Sequence, residues 1–77
     1  MRRSFVFPTF LTAIDFVNKV AALSEKHHHH PNICVDYTYI HFSLSTHDDG
    51  NVVTEKDHEL ARAIDLLYRS NKRYATS

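Results

Sequence analysis

The chain has 77 residues, with nine basic side chains, nine acidic side chains and seven histidines, so its formal net charge near pH 7 is zero. A chain this short forms one domain and buries only about 60% of its unfolded surface. We therefore expect residues 1–77 to be a single domain, and we expect contacts with partner subunits to bury more of its apolar surface. The balanced charge argues against direct nucleic-acid binding, and no stretch is long and apolar enough to cross a membrane.

The N-terminal part of the chain predicts a strand followed by a helix. Residues 2–7 are β-prone and end at Pro8, and Thr9 is a suitable cap for a helix that begins at Phe10. Apolar residues then recur at helical spacing, which indicates one buried face. The helix runs into four consecutive histidines, and we expect it to stop before Pro31 because a residue that precedes proline is disfavoured in the α conformation.

Residues 33–46 are rich in β-branched and aromatic side chains and contain neither glycine nor proline. Alternation along this stretch predicts one apolar face and one polar face. The apolar face carries Ile40, Phe42 and Leu44, and the polar face carries His41, Ser43 and Ser45. The pattern fits either one long strand or two short strands that turn near Tyr37–Tyr39.

Cys34, the only cysteine, lies within this alternating apolar stretch. A single cysteine forms no intramolecular disulfide, which fits a reducing compartment. We therefore expect a buried structural thiol and a cytoplasmic protein, with a nuclear location also open.

The last third of the chain predicts a turn and a second helix. Residues 48–51 form the clearest turn and contain the only glycine, Gly50. Thr54 followed by Asp57 three positions later resembles a capping box, and Leu60 opens an apolar helical face. The order of elements predicts an α+β fold, in which an antiparallel sheet of three to four strands has α-helices packed on one face.

The histidine run allows more than one interpretation. Imidazole exchanges protons near neutral pH, so clustered histidines suit proton transfer to a polar substrate. A metal site would use His27 and His30, three residues apart, with His47 as a third ligand, but no second cysteine or spaced carboxylate completes the set. We therefore expect no bound metal, and we expect His27 and His28 to be solvent-exposed at a helix end.

A longer spacing pattern includes part of this run. Glu25 is followed after three residues by His29-His30-Pro31, after five more by Tyr37, after nine more by His47, and then by Asp57 beyond a turn. The pattern resembles the signature of the pterin-4a-carbinolamine dehydratases. The flanking segments Phe7-Pro8-Thr9-Phe10, Leu44-Ser45-Thr46-His47 and Thr54-Glu55-Lys56-Asp57 extend the resemblance over roughly residues 5–68.

The resemblance implies an enzyme that removes water from 4a-hydroxytetrahydropterin to give quinonoid dihydropterin by histidine acid/base catalysis, without a cofactor, in tetrahydrobiopterin recycling. The implied catalytic residues are His29, His30, His47 and Glu25. The implied substrate-binding residues are His29, His30, Pro31, Thr46, His47, Asp48 and Asp49.

The resemblance also bears on partners. It implies a homodimer or homotetramer, and some relatives act as dimerisation cofactors of a homeodomain transcription factor through an oligomer surface of helices. Family members commonly carry an aromatic residue two positions after the proline, where this chain has Ile33. They also commonly begin with an additional helix and strand, so we expect an N-terminally short form with an exposed sheet edge.

Overall fold

The computed structural model describes residues 1–46, 50 and 52–76. Its elements are β1 (Arg2–Val6), α1 (Phe10–His27), β2 (Asn32–Asp36), β3 (Tyr39–Ser43), α2 (Glu55–Ser70) and a short 3-10 helix (Lys72–Tyr74). The three strands form an antiparallel sheet in the order β1-β3-β2, and both helices pack against one face of it. The predicted α+β class is therefore confirmed.

The stretch that the sequence left open forms two strands. β2 and β3 are joined at Tyr37 and Thr38, and Asp36 pairs with Tyr39 across the turn. Tyr37 adopts a φ of 53°, a left-handed conformation that few residues other than glycine and asparagine take. Because the turn is built on a tyrosine, the glycine and proline signals that normally mark a hairpin are absent from the sequence.

Helix α1 begins at Phe10 and ends before Pro31, as predicted, but a left-handed cap and not the proline ends it. The Thr9 hydroxyl accepts a hydrogen bond from the Thr12 backbone N–H at 3.1 Å, and the Thr12 hydroxyl oxygen accepts one from the Thr9 backbone N–H. At the other end His28 takes a left-handed φ of 52°, and the His29 N–H bonds back to the Ser24 carbonyl. This Schellman-type ending stops the helix at His27, four residues before Pro31.

The hydrophobic core lies between the helices and the middle strand. The predicted apolar face of β3 is confirmed, since Ile40, Phe42 and the adjacent Leu44 are fully buried. They pack with the inner faces of α1 and α2 and with Tyr74 from the 3-10 helix. The Tyr74 ring lies 5.1 Å from the Phe16 ring and 5.4 Å from the Phe7 ring, centroid to centroid. The C-terminal segment therefore closes one end of the core.

The expectation that Cys34 is buried is wrong, because the thiol is exposed. Cys34 pairs with His41, which alternates along β3 with the buried Ile40 and Phe42 and so faces the side of the sheet without helices. It also lies on an edge strand, with no described strand on its outer side. Among the described residues, no helix is long and apolar enough to span a membrane.

Candidate functional site

Three chain segments meet where α1 ends and α2 begins. The left-handed turn at His28 reverses the chain after α1 and directs His29 towards the first turn of α2. Thr46, which follows β3, reaches the same place and is buried. Asp57 in the first turn of α2 lies at the centre, with none of its surface exposed.

The Asp57 carboxylate uses both of its oxygens. Oδ1 lies 2.6 Å from Nε2 of His29. Oδ2 accepts hydrogen bonds from the Thr46 hydroxyl at 2.9 Å and from the Thr54 backbone N–H at 2.9 Å. The hydroxyls of Thr46 and Thr54 lie 2.6 Å apart. The same carboxylate therefore caps α2 and holds an imidazole that arrives from the end of α1.

These contacts determine the charge on Asp57. Burial by itself would raise the pKa of the Asp57 carboxyl, but hydrogen bonds from His29, the Thr54 backbone and Thr46, with the charge of His29, outweigh it and lower this pKa below its ordinary value. An ionised carboxylate only accepts hydrogen bonds, so Nε2 of His29 carries the proton between the two groups. Nδ1 of His29 is then the ring nitrogen that does not take part in the contact with Asp57.

The next residue, His30, forms a second pair of the same kind at the surface. Its Nε2 contacts a carboxylate oxygen of Glu25, which lies in the last turn of α1. The two side chains are 61% and 76% exposed, so water screens this pair, whereas the partner of His29 is fully buried. Adjacent histidines are thus each held through Nε2 by a carboxylate, one in the interior and one in solvent.

The remaining expected residues divide into two groups. Pro31 is half-buried beside His30, and His27 and His28 are exposed as expected. His47, Asp48 and Asp49 lie outside the described residues, so the model does not test their predicted roles. Within the part of the chain that the model describes, no group of three or more His, Cys, Asp or Glu side chains converges as a metal ion would require.

Asp57 has a role at this site beyond the one that the sequence predicts. The sequence predicts it only as the acidic member of the capping box, and that role is confirmed by its bond to the Thr54 N–H. Its place at the end of the spacing pattern that runs from Glu25 to Asp57 is the signal in the sequence for a second role. Periodicity alone could not reveal that role, because 27 residues separate His29 from Asp57 and only the folded chain brings them together.

A comparison with known protein families matches most of this chain, including the residues around Asp57. The family model described as pterin 4 alpha carbinolamine dehydratase matches residues 1–67. The chain belongs to this family. A protein from Sulfolobus acidocaldarius that bears the name of the pterin-4-alpha-carbinolamine dehydratases is 40% identical over 67 residues, which are 87% of this chain and 72% of that protein.

Two solved structures share the dehydratase fold. A transcriptional coactivator/pterin dehydratase from Brucella melitensis superposes with a TM-score of 0.80 at 38% identity, over 86% of this chain and 69% of the other. A pterin dehydratase-like protein described as a RuBisCO assembly factor in the α-carboxysome superposes with a TM-score of 0.71 at 30% identity, over 86% of this chain and 75% of the other. Proteins with this fold therefore include a transcriptional coactivator/pterin dehydratase and a RuBisCO assembly factor.

Proposed function

We propose that this protein dehydrates 4a-hydroxytetrahydropterin to quinonoid dihydropterin by histidine acid/base catalysis, as a step of tetrahydrobiopterin recycling. The observation that carries the proposal is the pair of adjacent histidines, His29 and His30, each bound through Nε2 to a carboxylate. Membership of the dehydratase family supports the choice of a pterin as the substrate.

The reaction requires two proton transfers at neighbouring atoms. The hydroxyl group on the substrate carbon leaves as water when it receives a proton, and the ring N–H gives up a proton as the new C=N bond forms. Imidazoles serve both steps near neutral pH, and a donor or acceptor positioned this way contributes about 10²–10⁴-fold in rate. Nδ1 of His29 and Nδ1 of His30 are the atoms that we assign to these transfers, with His47 as a third histidine and Pro31 and Thr46–Asp49 as the pocket wall.

The carboxylates differ in what they contribute. Asp57 is buried and ionised, so it fixes the ring orientation and the tautomer of His29 without leaving the interior. Glu25 is exposed and holds His30 more loosely. We therefore expect His29 to have a more rigid position than His30 when the substrate binds.

The test is turnover of enzymatically generated 4a-hydroxytetrahydropterin by the wild type, His29→Gln and His30→Gln. We expect kcat to fall about 100-fold or more in His29→Gln, the size typical for a lost acid/base group. His58→Gln, which changes an exposed histidine in α2, is the matched control and should retain wild-type turnover. If the wild type does not accelerate the reaction, or if His29→Gln is as fast as the wild type, the proposed function is wrong.

A groove on the outer side of the two helices favours a second candidate, a protein-binding module of the kind that dimerises a transcription factor. The groove has a volume of about 490 Å³. Its lining consists of Lys19, Ala22, Leu23, Lys26, Ala63, Leu66, Leu67 and Ser70. Leu66 is 63% exposed, and both charged residues of this lining are lysines. An apolar groove with basic residues at its rim fits an amphipathic helix that carries acidic residues beside its apolar face.

The second candidate is tested with a fluorescent acidic amphipathic peptide and anisotropy. Leu66→Glu places a carboxylate in the groove and should weaken binding about tenfold or more, the effect of losing a central apolar contact and adding charge repulsion. Leu11→Glu, at an exposed leucine outside the groove, should bind like the wild type. If Leu66→Glu and Leu11→Glu lose the same amount of peptide affinity, the groove is not the peptide-binding site.

A further inference from the structure

The outer edge of β1 presents the backbone groups of three residues. The Phe7 N–H bonds to the Thr38 carbonyl, so odd-numbered residues along β1 direct their backbone groups towards β3. By alternation, Arg2, Ser4 and Val6 direct theirs away from the sheet. β1 is the first strand in the order β1-β3-β2, and no described strand lies on its outer side. These outward groups are therefore open to side chains of the same chain or to a binding partner.

Side chains of the same chain already bond two of the three outward carbonyls. The Tyr68 hydroxyl donates a hydrogen bond to the Val6 carbonyl at 2.8 Å, and Nη1 of Arg3 donates one to the Arg2 carbonyl at 3.1 Å. Such bonds protect an edge strand, because another strand that paired along all of β1 would have to break both of them. Among the described residues, none bonds the N–H or C=O group of Ser4, which lies between these two positions. The edge is therefore open to a short segment that pairs with Ser4 alone.

A cavity of about 350 Å³ lies beside this open position, between β1 and α2. Phe5, Asp65, Tyr68 and Arg69 line it, and the rings of Phe5 and Tyr68 are 4.7 Å apart, centroid to centroid. Side chains alternate along an extended segment, so the residues on either side of the one opposite Ser4 point to the helix side of the sheet, where Phe5 also points. One of these side chains would therefore enter the cavity and contact its two aromatic rings.

The charges around this edge and the cavity are mainly positive. Arg2, Arg3 and Arg69 carry guanidinium groups, whereas the described lining of the cavity has one carboxylate, that of Asp65. Asp65 already pairs with Arg3 at 3.2 Å, and within the described parts of the chain neither Arg2 nor Arg69 has a carboxylate partner. A segment that carries acidic side chains would therefore be attracted to this edge, and a basic segment would be repelled.

We propose that the outer edge of β1 binds a short, extended, acidic segment of a partner protein. The backbone of this segment pairs with Ser4, one of its apolar side chains fills the cavity between β1 and α2, and its carboxylates face Arg2 and Arg69. In strand addition of this kind, main-chain hydrogen bonds contribute affinity and a side-chain pocket contributes specificity. The site shares no residue with the two histidine–carboxylate pairs or with the groove that Leu66 lines, so it goes beyond the proposed function and its test needs no pterin.

The backbone pairing is tested with the fluorescein-labelled peptide Glu-Phe-Glu-Val-Glu and fluorescence anisotropy. Consecutive N–H groups of an extended peptide point to opposite edges, so only one of two neighbouring N–H groups faces β1. Single N-methylation of the central glutamate or of the valine should therefore weaken binding about five- to tenfold in one peptide, the size expected for a lost main-chain hydrogen bond, and leave the other peptide like the parent. No binding of the parent peptide, or equal affinities of the two methylated peptides, would overturn the proposal.

Variants of the protein test the same site with the parent peptide. Ser4→Pro removes the outward N–H and leaves the β1–β3 hydrogen bonds intact, so it should weaken binding about five- to tenfold, whereas Ser4→Ala keeps that N–H and should bind like the wild type. Circular dichroism checks that each variant is folded, and the methylated peptides remain the test of backbone pairing if Ser4→Pro is not.

The charge at the cavity is tested by a second pair of variants. Arg69→Glu reverses a charge in the cavity lining and should weaken binding of the acidic peptide about tenfold. Lys56→Glu makes the same change of charge in the first turn of α2, outside the cavity lining, and should bind like the wild type. If Lys56→Glu loses as much affinity as Arg69→Glu, or if Ser4→Pro is folded and binds like Ser4→Ala, the proposed site is wrong.

Discussion

Replacing Asp57 with alanine should lower the free energy of unfolding by about 3–5 kcal/mol, the size expected when one partner of a buried ionic network is removed. The substitution leaves Nε2 of His29, the Thr46 hydroxyl and the Thr54 N–H without their acceptor. It also removes the carboxylate that caps α2. Urea unfolding followed by circular dichroism measures the loss, which is a large part of the 5–15 kcal/mol that holds a typical domain together.

Asp65→Ala is the matched control for this prediction. Asp65 pairs with Arg3 at 3.2 Å, and its side chain is 30% exposed, so its loss should change stability by about 1 kcal/mol or less. The pH profile gives a second check. Because the pKa of Asp57 is lowered in the folded protein, its contribution is present at neutral pH and is lost as the pH falls through the folded value. That part of the acid loss should be absent in Asp57→Ala, and an unchanged profile would contradict this account of the network.

Tyr74→Ala should destabilise the protein by about 3–5 kcal/mol, as expected for removal of a large ring from a packed core. Tyr74 has no exposed surface and contacts the rings of Phe7 and Phe16, and its ring is parallel to that of Tyr68 within 9°. Its neighbours belong to the β1–α1 connection and to both helices. The cavity left by the missing ring can therefore be filled only if a helix moves. Thermal and urea unfolding both measure this effect.

Tyr74→Phe separates the ring from its hydroxyl. The hydroxyl donates a hydrogen bond of 2.7 Å to Asp15, and that bond lowers the pKa of the Asp15 carboxyl. Removing it should destabilise the protein by about 1 kcal/mol, the net value of one hydrogen bond. If Tyr74→Phe is as damaging as Tyr74→Ala, the hydroxyl and not the packing of the ring is the dominant contribution.

The parts of the fold that the sequence predicts are those set by local rules. The Thr9 cap, the Thr54 capping box and the alternation through Ile40 and Phe42 each depend on a few neighbouring residues, and each is confirmed. The sequence does not distinguish one long strand from the β2–β3 hairpin, because the turn at Tyr37 has neither glycine nor proline. The burial predicted for Cys34 is wrong, because alternation specifies two faces of a strand and does not say which face the helices cover.

At the candidate site, too, the sequence predicts local contacts but not those between residues far apart in the chain. Spacing and family resemblance indicate His29, His30 and Glu25, and the structure pairs His30 with Glu25, five positions earlier in the last turn of α1. The buried partner of His29 lies 28 positions away, and no local pattern reveals that contact. In the sequence the Asp57 carboxylate is predicted only to cap α2. Its contact with His29 forms only when the end of α1 folds against the start of α2.

The shared use of Asp57 makes the two histidines unequal as targets for mutation. Most changes at Asp57, Thr46 or Thr54 disturb the start of α2, so a screen that scores soluble protein would discard them before any catalytic effect could be seen. The exposed pair of Glu25 and His30 does not stabilise the start of α2, so variants of these two residues should accumulate as folded protein. Variation in substrate preference within such a scaffold is therefore expected to arise on the His30 side, while the His29 side stays constant.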